Sequence, residues 1–303
     1  MYAVIGAGGF LGSYIVRNLM GRTDEEILAT TRAERIPEDG KVTWVRCDVS
    51  DKSSLTYLAQ RINRGKKVKI IYLPAYFNTG SRYDRRAAWQ VNIVDYAEFL
   101  AMIDGFDAFY SVSTDMVFSE DSDAPYREDA PVSPLNDYAR HKIAEEGMAA
   151  AAGVRVVRLP VMMGRSLSPH KKHFFDEIIE QNRRGVPMKF FSDVWRSIID
   201  FNTAAGAILD LMECREAADF PIVNIAGDEA LSKYDVALRM ARHYRLDASL
   251  MQPVSVHDDT DIWKEKRPGK VLLDNTLVKK LLRRTEMKFS FGDRENTASR
   301  RLP

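Results

Sequence analysis

Cysteine is scarce: Cys47 and Cys214 are the two in the chain. They are too few for a disulfide framework, and no Cys/His spacing resembles a zinc site. A reducing compartment is therefore the default expectation. An excess of one charge is missing too. The 44 lysines and arginines nearly cancel the 43 aspartates and glutamates, leaving a formal net charge of +1. That balance builds no long-range field for nucleic acid or an anionic membrane, although it permits a local basic pocket for a phosphate-bearing ligand. The longest apolar runs fall far short of a bilayer span. The first strand pattern starts at Tyr2, which leaves no room for a secretory signal. These absences predict a soluble, cytoplasmic protein that handles a small molecule, with no nucleic-acid or membrane partner.

What is present is an alternation. Short apolar runs at Tyr2–Gly6, Glu26–Thr31, Val42–Cys47, Val68–Leu73, Ala108–Val112 and Val154–Leu159 are separated by helical-period stretches. Those stretches lie near Leu11–Met20, Ser54–Asn63, Ala87–Ile103 and Asn136–Ala152. Strands alternating with helices predict an α/β fold, a doubly wound parallel sheet with helices on both faces. The Ile70-Ile71-Tyr72-Leu73 run has the bias of a strand buried on both sides. After Pro160 the rhythm breaks. Shorter elements follow: helices near Phe174–Arg184, Thr203–Glu213 and Lys233–Tyr244, and strands near Met188–Phe191 and Ile222–Ile225. The expected division is residues 1–160 as the sheet domain and 161–303 as a smaller C-terminal α/β substrate lobe. Some elements of the lobe are expected to return to the first sheet. The polar end, Asp293–Pro303, is expected to fray.

The first strand runs into Gly6-Ala7-Gly8-Gly9-Phe10-Leu11-Gly12 and then an amphipathic helix. Strand, glycine turn and helix together are the context of a dinucleotide-binding, Rossmann-type turn. The first glycine, Gly6, permits the sharp turn. Gly9 lets backbone approach a pyrophosphate, and Gly12 lets helix and strand pack closely. The helix N-terminus then offers N–H groups to the anion. At the tip of the second strand the chain reads Ala29-Thr30-Thr31-Arg32, without a carboxylate to bind a ribose 2′-hydroxyl. Thr31 and Arg32 instead suit a 2′-phosphate, so NADP(H) is favoured over NAD(H). Asp48 and Val49, after the third strand, fall where an adenine edge would lie.

Tyr138 and Lys142 are four residues apart, on one helical face. A phenol with an ordinary pKa of about 10 is a poor acid–base at neutral pH. A neighbouring ammonium would lower that value and could hold a nicotinamide ribose. A hydroxyl from Ser111, Ser113 or Thr114, at the end of the preceding strand, would complete a site for a carbonyl. Among the histidines, His141 lies between Arg140 and Lys142 and reads as a solvated helix residue. His170 and His173 belong to a basic run for which a solvated face is the favoured reading, with contact to a substrate diphosphate as the alternative. A metal site at His257-Asp258-Asp259 has little support.

These residues resemble the extended short-chain dehydrogenase/reductase family, and within it the reductases that form dTDP-rhamnose from its 4-keto precursor. The resemblance rests on Ser113-Thr114-Asp115-Met116-Val117-Phe118, Pro125-Tyr126-Arg127-Glu128 and Pro134-Leu135-Asn136-Asp137-Tyr138. Pro74-Ala75-Tyr76, Val91-Asn92 and Arg267-Pro268 with Leu273-Asp274 extend it over most of the chain. The resemblance implies that Thr114, Tyr138 and Lys142 are the catalytic trio. Leu73, Pro74, Ala75, Asn92, Val112, Pro160 and Val161 would join Gly6, Gly9, Phe10, Leu11 and Gly12 around the cofactor. Tyr76, Asp115, Met116, Arg196 and Arg267, with Thr114, would face a nucleotide sugar. A homodimer is implied by the same resemblance.

The chain departs from that pattern at several points. Ala139 stands where the reductases carry Gly, Met162-Met163 replaces an aromatic wall, and Arg196 resembles an arginine that related epimerases place near the nucleotide. Met116 replaces the glutamate of related dehydratases and has no acid–base chemistry, which disfavours dehydration. The expected function is NADPH-dependent reduction of a keto group on a nucleotide-activated deoxysugar. Two alternatives stand beside it: an NAD-dependent sugar-nucleotide epimerase, and a non-catalytic NADP-binding regulatory subunit such as the β subunit of methionine adenosyltransferase.

Overall fold

The computed structural model describes residues 1–34, 40–64, 67–77, 83–119, 122, 124–168, 171–258 and 268–291. Its centre is a seven-stranded parallel sheet. The strands are β1 (Tyr2–Ile5), β2 (Ile27–Thr31), β3 (Val42–Arg46), β4 (Lys69–Tyr72), β5 (Ala108–Thr114), β6 (Arg155–Leu159) and β7 (Ile222–Asn224). Their spatial order is β7-β6-β5-β4-β1-β2-β3. The order reverses beside β1, so the C-terminal ends of β1 and β4 flank a crevice where such sheets place ligands. β1 and β2 are buried at every position, because parallel strands covered on both faces must be apolar on both.

One face is covered by α1 (Phe10–Arg22) and α7 (Phe201–Glu213), whose Ile15, Leu19, Ile208 and Leu211 pack against Val4, Ile71, Tyr110 and Val157. The other face carries α2 (Lys52–Asn63), α4 (Asp95–Met102) and α5 (Asp137–Ala151), burying Leu58, Phe99 and Ala149 against Ile5, Ile70, Tyr72 and Phe109. Local chemistry sets the helix starts: Asp51 caps α2, Asp84 caps α3 (Arg85–Trp89), and Asn136 caps α5 through Ala139 N–H. Between α3 and α4, Gln90–Val94 form a π turn that carries Asn92 inward, a distortion often found at functional sites.

Beyond β6 the chain serves both parts of the molecule. α7 lies on α1, and β7 pairs with β6 as the edge of the central sheet. The rest builds a second core, where α6 (Phe174–Arg183) and α8 (Lys233–Tyr244) bury Phe175, Ile178, Val236 and Met240 over Phe190 and Met251. Three small sheets close this lobe. Met162–Met163 pairs with Ile199–Asp200, Met188–Phe191 with Met251–Val254, and Trp195–Arg196 with both Leu231–Ser232 and Lys270–Val271. The two-residue strands and α9 (Thr276–Leu281) were outside the sequence expectation, since such short pieces carry no readable periodicity.

The lobe is fastened to the glycine turn by a histidine expected to be solvated. His173 caps α6, its Nδ1 accepting from Phe175 N–H at 3.2 Å, and Asp176 accepts back from His173 N–H at 3.2 Å. Its ring meets Phe10 edge-on at 4.9 Å and Phe201 at 5.1 Å between centroids. Burial, helped by the Lys233 ammonium, lowers the His173 pKa to about 4. His170 lies outside the described residues. The unfolded chain binds a proton at His173 below about pH 6.5, while the folded chain does not until about pH 4. Stability from this group is therefore present above that window and lost as pH falls through it. His173→Asn keeps a capping side chain without a titrating ring, so its melting temperature should decline less than that of the parent between pH 6.5 and 4. Parallel declines in thermal scans would contradict this.

Candidate active site

The crevice begins at the glycine turn. Gly6 has φ +84°, a left-handed conformation that favours glycine. Its N–H donates to Thr30 Oγ1 at 2.8 Å, and Gly8 N–H donates to the Thr30 carbonyl at 3.1 Å. A Cβ on Gly12 would sit 2.5 Å from the Gly6 carbonyl oxygen and 2.7 Å from Ala7 Cα. The helix therefore rests on the turn itself. Gly9, the N-cap of α1, has no side chain to cap the helix, so the first amides of α1 face the crevice as donors for an anion. A dinucleotide pyrophosphate fits this cradle.

Around the cradle, Leu73 and Pro74 approach Gly6, within 3.3 and 3.4 Å of where its Cβ would be. Val49, Leu11 and Pro160 are buried, Val112 and Val161 half-buried, and Ala75 and Asp48 exposed. Thr31 turns under the turn: its Oγ1 accepts from Ala33 N–H at 3.1 Å and lies 2.7 Å from a Cβ built on Gly8. Arg32 is exposed just beyond it. Lys171, from the C-terminal lobe, has its pKa lowered by burial and then by the charge of Arg32. Gly12→Ala would push a methyl group into backbone atoms, and an overpacking cost of about 1–3 kcal/mol is expected. Denaturant unfolding measures it, and an unchanged midpoint would refute the contact.

Thr114 ends β5 and caps the following turn, where its Oγ1 accepts from Met116 N–H at 3.2 Å and donates to Asp115 Oδ1 at 3.2 Å. Of the other two candidate hydroxyls, Ser113 donates to Glu146 at 2.5 Å, and Ser111 is buried within β5. Tyr138 opens α5 and is half-buried, with the exposed Phe77 ring edge-on at 4.7 Å. The loop carrying Phe77 is held by Asn92, which accepts from Tyr76 N–H at 2.7 Å and donates to the Tyr76 carbonyl at 3.1 Å. Buried His141, expected in solvent, lies 3.4 Å from Asn92 Nδ2 and edge-on to Trp89, with its pKa lowered by burial.

The expected depression of the tyrosine is not found. Burial pushes the Tyr138 phenol well above its ordinary value, and the Glu145 and Asp115 carboxylates push the same way. The reason is visible at Lys142. Its ammonium is buried and ion-paired with Glu145, one turn along α5. Glu146, the next residue, joins a different network: Arg158 grips it with Nε at 2.9 Å and Nη2 at 2.8 Å, and Nη1 reaches the Glu128 carbonyl at 3.0 Å. Sequence reasoning missed both glutamates. Paired carboxylates following the Lys were the available signal.

Arg196 and Asp115, expected at the substrate, meet each other, Nε to Oδ2 at 3.2 Å, and both are buried. The remaining guanidinium nitrogens of Arg196 donate to the carbonyls of Trp195, Gly269 and Pro268 at 2.6–2.9 Å. The pair ties the end of β5 to the lobe. Met116 and Tyr76 are half-buried, and Arg267 lies outside the described residues. Among the described residues, no group of three or more His, Cys, Asp or Glu could hold a metal ion. Among the described residues, no helix is long and apolar enough to cross a membrane.

A model of the RmlD substrate binding domain matches residues 2–291. The chain belongs to that family. Curated relatives of this RmlD-family chain include the methionine adenosyltransferase 2 β subunits of Xenopus laevis, 28% identical over 213 residues, and Xenopus tropicalis, 28% identical over 194 residues. The matches cover 68% and 61% of this chain, and 62% and 55% of those relatives' length. The fold is shared with a hypothetical dTDP-4-dehydrorhamnose reductase from Sulfolobus tokodaii (TM-score 0.76, 22% identity, 96% of this chain and 97% of that one). It is shared as well with a Bacillus anthracis dTDP-4-dehydrorhamnose reductase in complex with NADP (0.74, 17%, 95% and 94%). A UDP-glucuronic acid 4-epimerase from Bacillus cereus, in complex with UDP-glucuronic acid and NAD, is similar too (0.77, 18%, 94% and 93%). In the RmlD-family chain described here, Glu146→Ala would leave Arg158 buried without its carboxylate, at an expected cost of about 3–5 kcal/mol. Chemical denaturation reads this, and a loss below about 1 kcal/mol would show the pair to be dispensable.

Proposed function

We propose that the chain binds NADP(H) in the crevice at Gly6–Gly12 and reduces a keto group on a nucleotide-activated deoxysugar. The observation that carries this reading is the placement of Thr114 at the end of β5 and Tyr138 at the start of α5, on the sheet whose first strand runs into the glycine cradle. A phenol held well above its ordinary pKa is present as the acid at neutral pH. It can give a proton to a developing alkoxide but is a poor base for withdrawing one from an alcohol. Reduction needs the first act. Epimerisation through a keto sugar begins with the second.

Bound NADPH would supply the hydride in this reaction. The chain does the rest. Thr114 Oγ1, at the end of β5, would donate to the keto oxygen, and Tyr138 would transfer its phenolic proton to that oxygen as the C–H bond forms. The products are the alcohol and NADP+. Arg32 and Lys171, cations from the two lobes, would face the 2′-phosphate. Thr31 supports the turn beneath them, and Asp48 and Val49 would border the adenine.

A second reading, a dinucleotide-binding subunit without turnover, is favoured by one observation. Lys142 is neutralised by Glu145, which weakens its support for a phenolate. Its relatives among the methionine adenosyltransferase 2 β subunits accord with it. Incubating the protein with NADPH or NADH and a dTDP-4-keto-6-deoxysugar separates the two. The expected result is NADPH consumption that falls by about 10²–10⁴ in Tyr138→Phe while NADPH binding persists. No consumption with any keto sugar, in a protein that still binds NADPH, would instead establish the second reading.

A further inference from the structure

α5 presents two consecutive carboxylates to the interior, and their surroundings differ. Glu146 is saturated: both oxygens are gripped by Arg158, and Oε1 also accepts from Ser113. Glu145 is not. Its Oε2 meets Lys142, while Oε1 is buried with no hydrogen-bond partner among the described residues. The side chains of Lys142 and Glu145 are only 3% and 4% exposed, so water does little to share this charge. The groups that face Glu145 are few. Lys142, Glu146 and Tyr138 come from its own helix, Tyr72 from β4 and Tyr96 from α4. Lys142 is the one cation of the set, and the Tyr72 hydroxyl is likewise buried without a partner.

We propose that Glu145 is an exchangeable counter-ion of Lys142, and that dinucleotide binding is coupled to the uptake of one proton on its carboxylate. This rests on the reading above, in which Lys142 holds the cofactor's ribose. An ammonium has three donors, and a ribose diol would share them with Glu145. Each donor drawn toward the diol weakens the attraction of Lys142 that keeps the buried carboxylate charged. The anionic phosphates of the ligand and the displacement of water act in the same direction. The group is already poised for the change. Burial, and then the neighbouring Glu146, outweigh Lys142 and hold its pKa at about 7. The proton comes from solvent and forms the Glu145 carboxylic acid, so no oxidant or second reactant is needed. With Glu145 neutral, Lys142 keeps its full charge for the ribose and for Tyr138, whose phenol then loses a repelling neighbour.

The sign follows from linkage. If binding raises a group's pKa, a proton enters with the ligand, and affinity increases as pH falls through that pKa. The dissociation constants of NADPH and NADH are measured by fluorescence from pH 6 to 8, for the parent and for Glu145→Gln. NADH is included because it lacks a titrating 2′-phosphate. The parent should bind about three- to tenfold more weakly at pH 8 than at pH 6, up to tenfold per pH unit being the limit for one linked proton. Glu145→Gln, which imitates the neutral acid, should bind tightly with a flat profile. Calorimetry of the parent in two buffers of different ionisation heat should show uptake of a fraction of a proton near pH 7, and this measurement stands even if the variant fails to fold. Equal pH profiles in both proteins, or a binding heat independent of the buffer, would overturn the counter-ion role and leave the cofactor reading intact. Failure of both dinucleotides to bind the folded parent at any pH would overturn the two together.

Discussion

The absence of a side chain at Gly12 lets α1 rest directly on the carbonyl of Gly6, and much of the molecule is arranged around that contact. Any Cβ there would enter the backbone of Gly6 and Ala7, so the helix could not start where β1 stops. Because it does, the amides of α1 open into the crevice beside β4. Phe10, the first residue of α1, becomes a fixed point for the second lobe, where His173 and Phe201 pack on its ring. α7 then lies along α1 and carries the chain back to the central sheet. The anion cradle and the joint between the two cores are thus one piece of structure.

The electrostatics of the site are organised by α5 in the same economical manner. Successive residues on a helix are about 100° apart, so Glu145 and Glu146 are directed at different neighbours. One completes a fully bonded network with Arg158 and Ser113 that welds α5 to β5 and β6. The other occupies Lys142, the cation that a tyrosine–lysine pair relies on. A chain with the full trio of Thr114, Tyr138 and Lys142 therefore has a tyrosine kept as a phenol. That distinction separates giving a proton from taking one.

The central sheet was legible because its strands obey simple patterns. β1, β2 and β4 are apolar runs bounded by turns, and each observed strand lies within the expected range or, for β5, runs two residues beyond it. Helices α1, α2, α5, α6, α7 and α8 were legible from their helical period. The two-residue strands around Arg196 were not legible, since pairing there depends on residues some seventy positions away in the chain. His141 and His173 were misjudged for a related reason. Both lie in strongly charged stretches, yet the aromatic partners that bury them, Trp89, Phe10 and Phe201, come from distant segments.

By itself the sequence determined the glycine turn and the spacing of Tyr138 and Lys142, because both are local: glycines at fixed spacing after a strand, and a tyrosine and lysine one helical turn apart. What those residues are able to do was decided by the tertiary structure. Charge states and packing depend on atoms brought together from separate elements, and no spacing rule reports them. Arg196, which reads from sequence as a nucleotide contact, is held by Asp115 and three carbonyls. Tyr138 reads as a phenol made acidic by Lys142. In the folded chain, burial and the carboxylates of Glu145 and Asp115 reverse that sign.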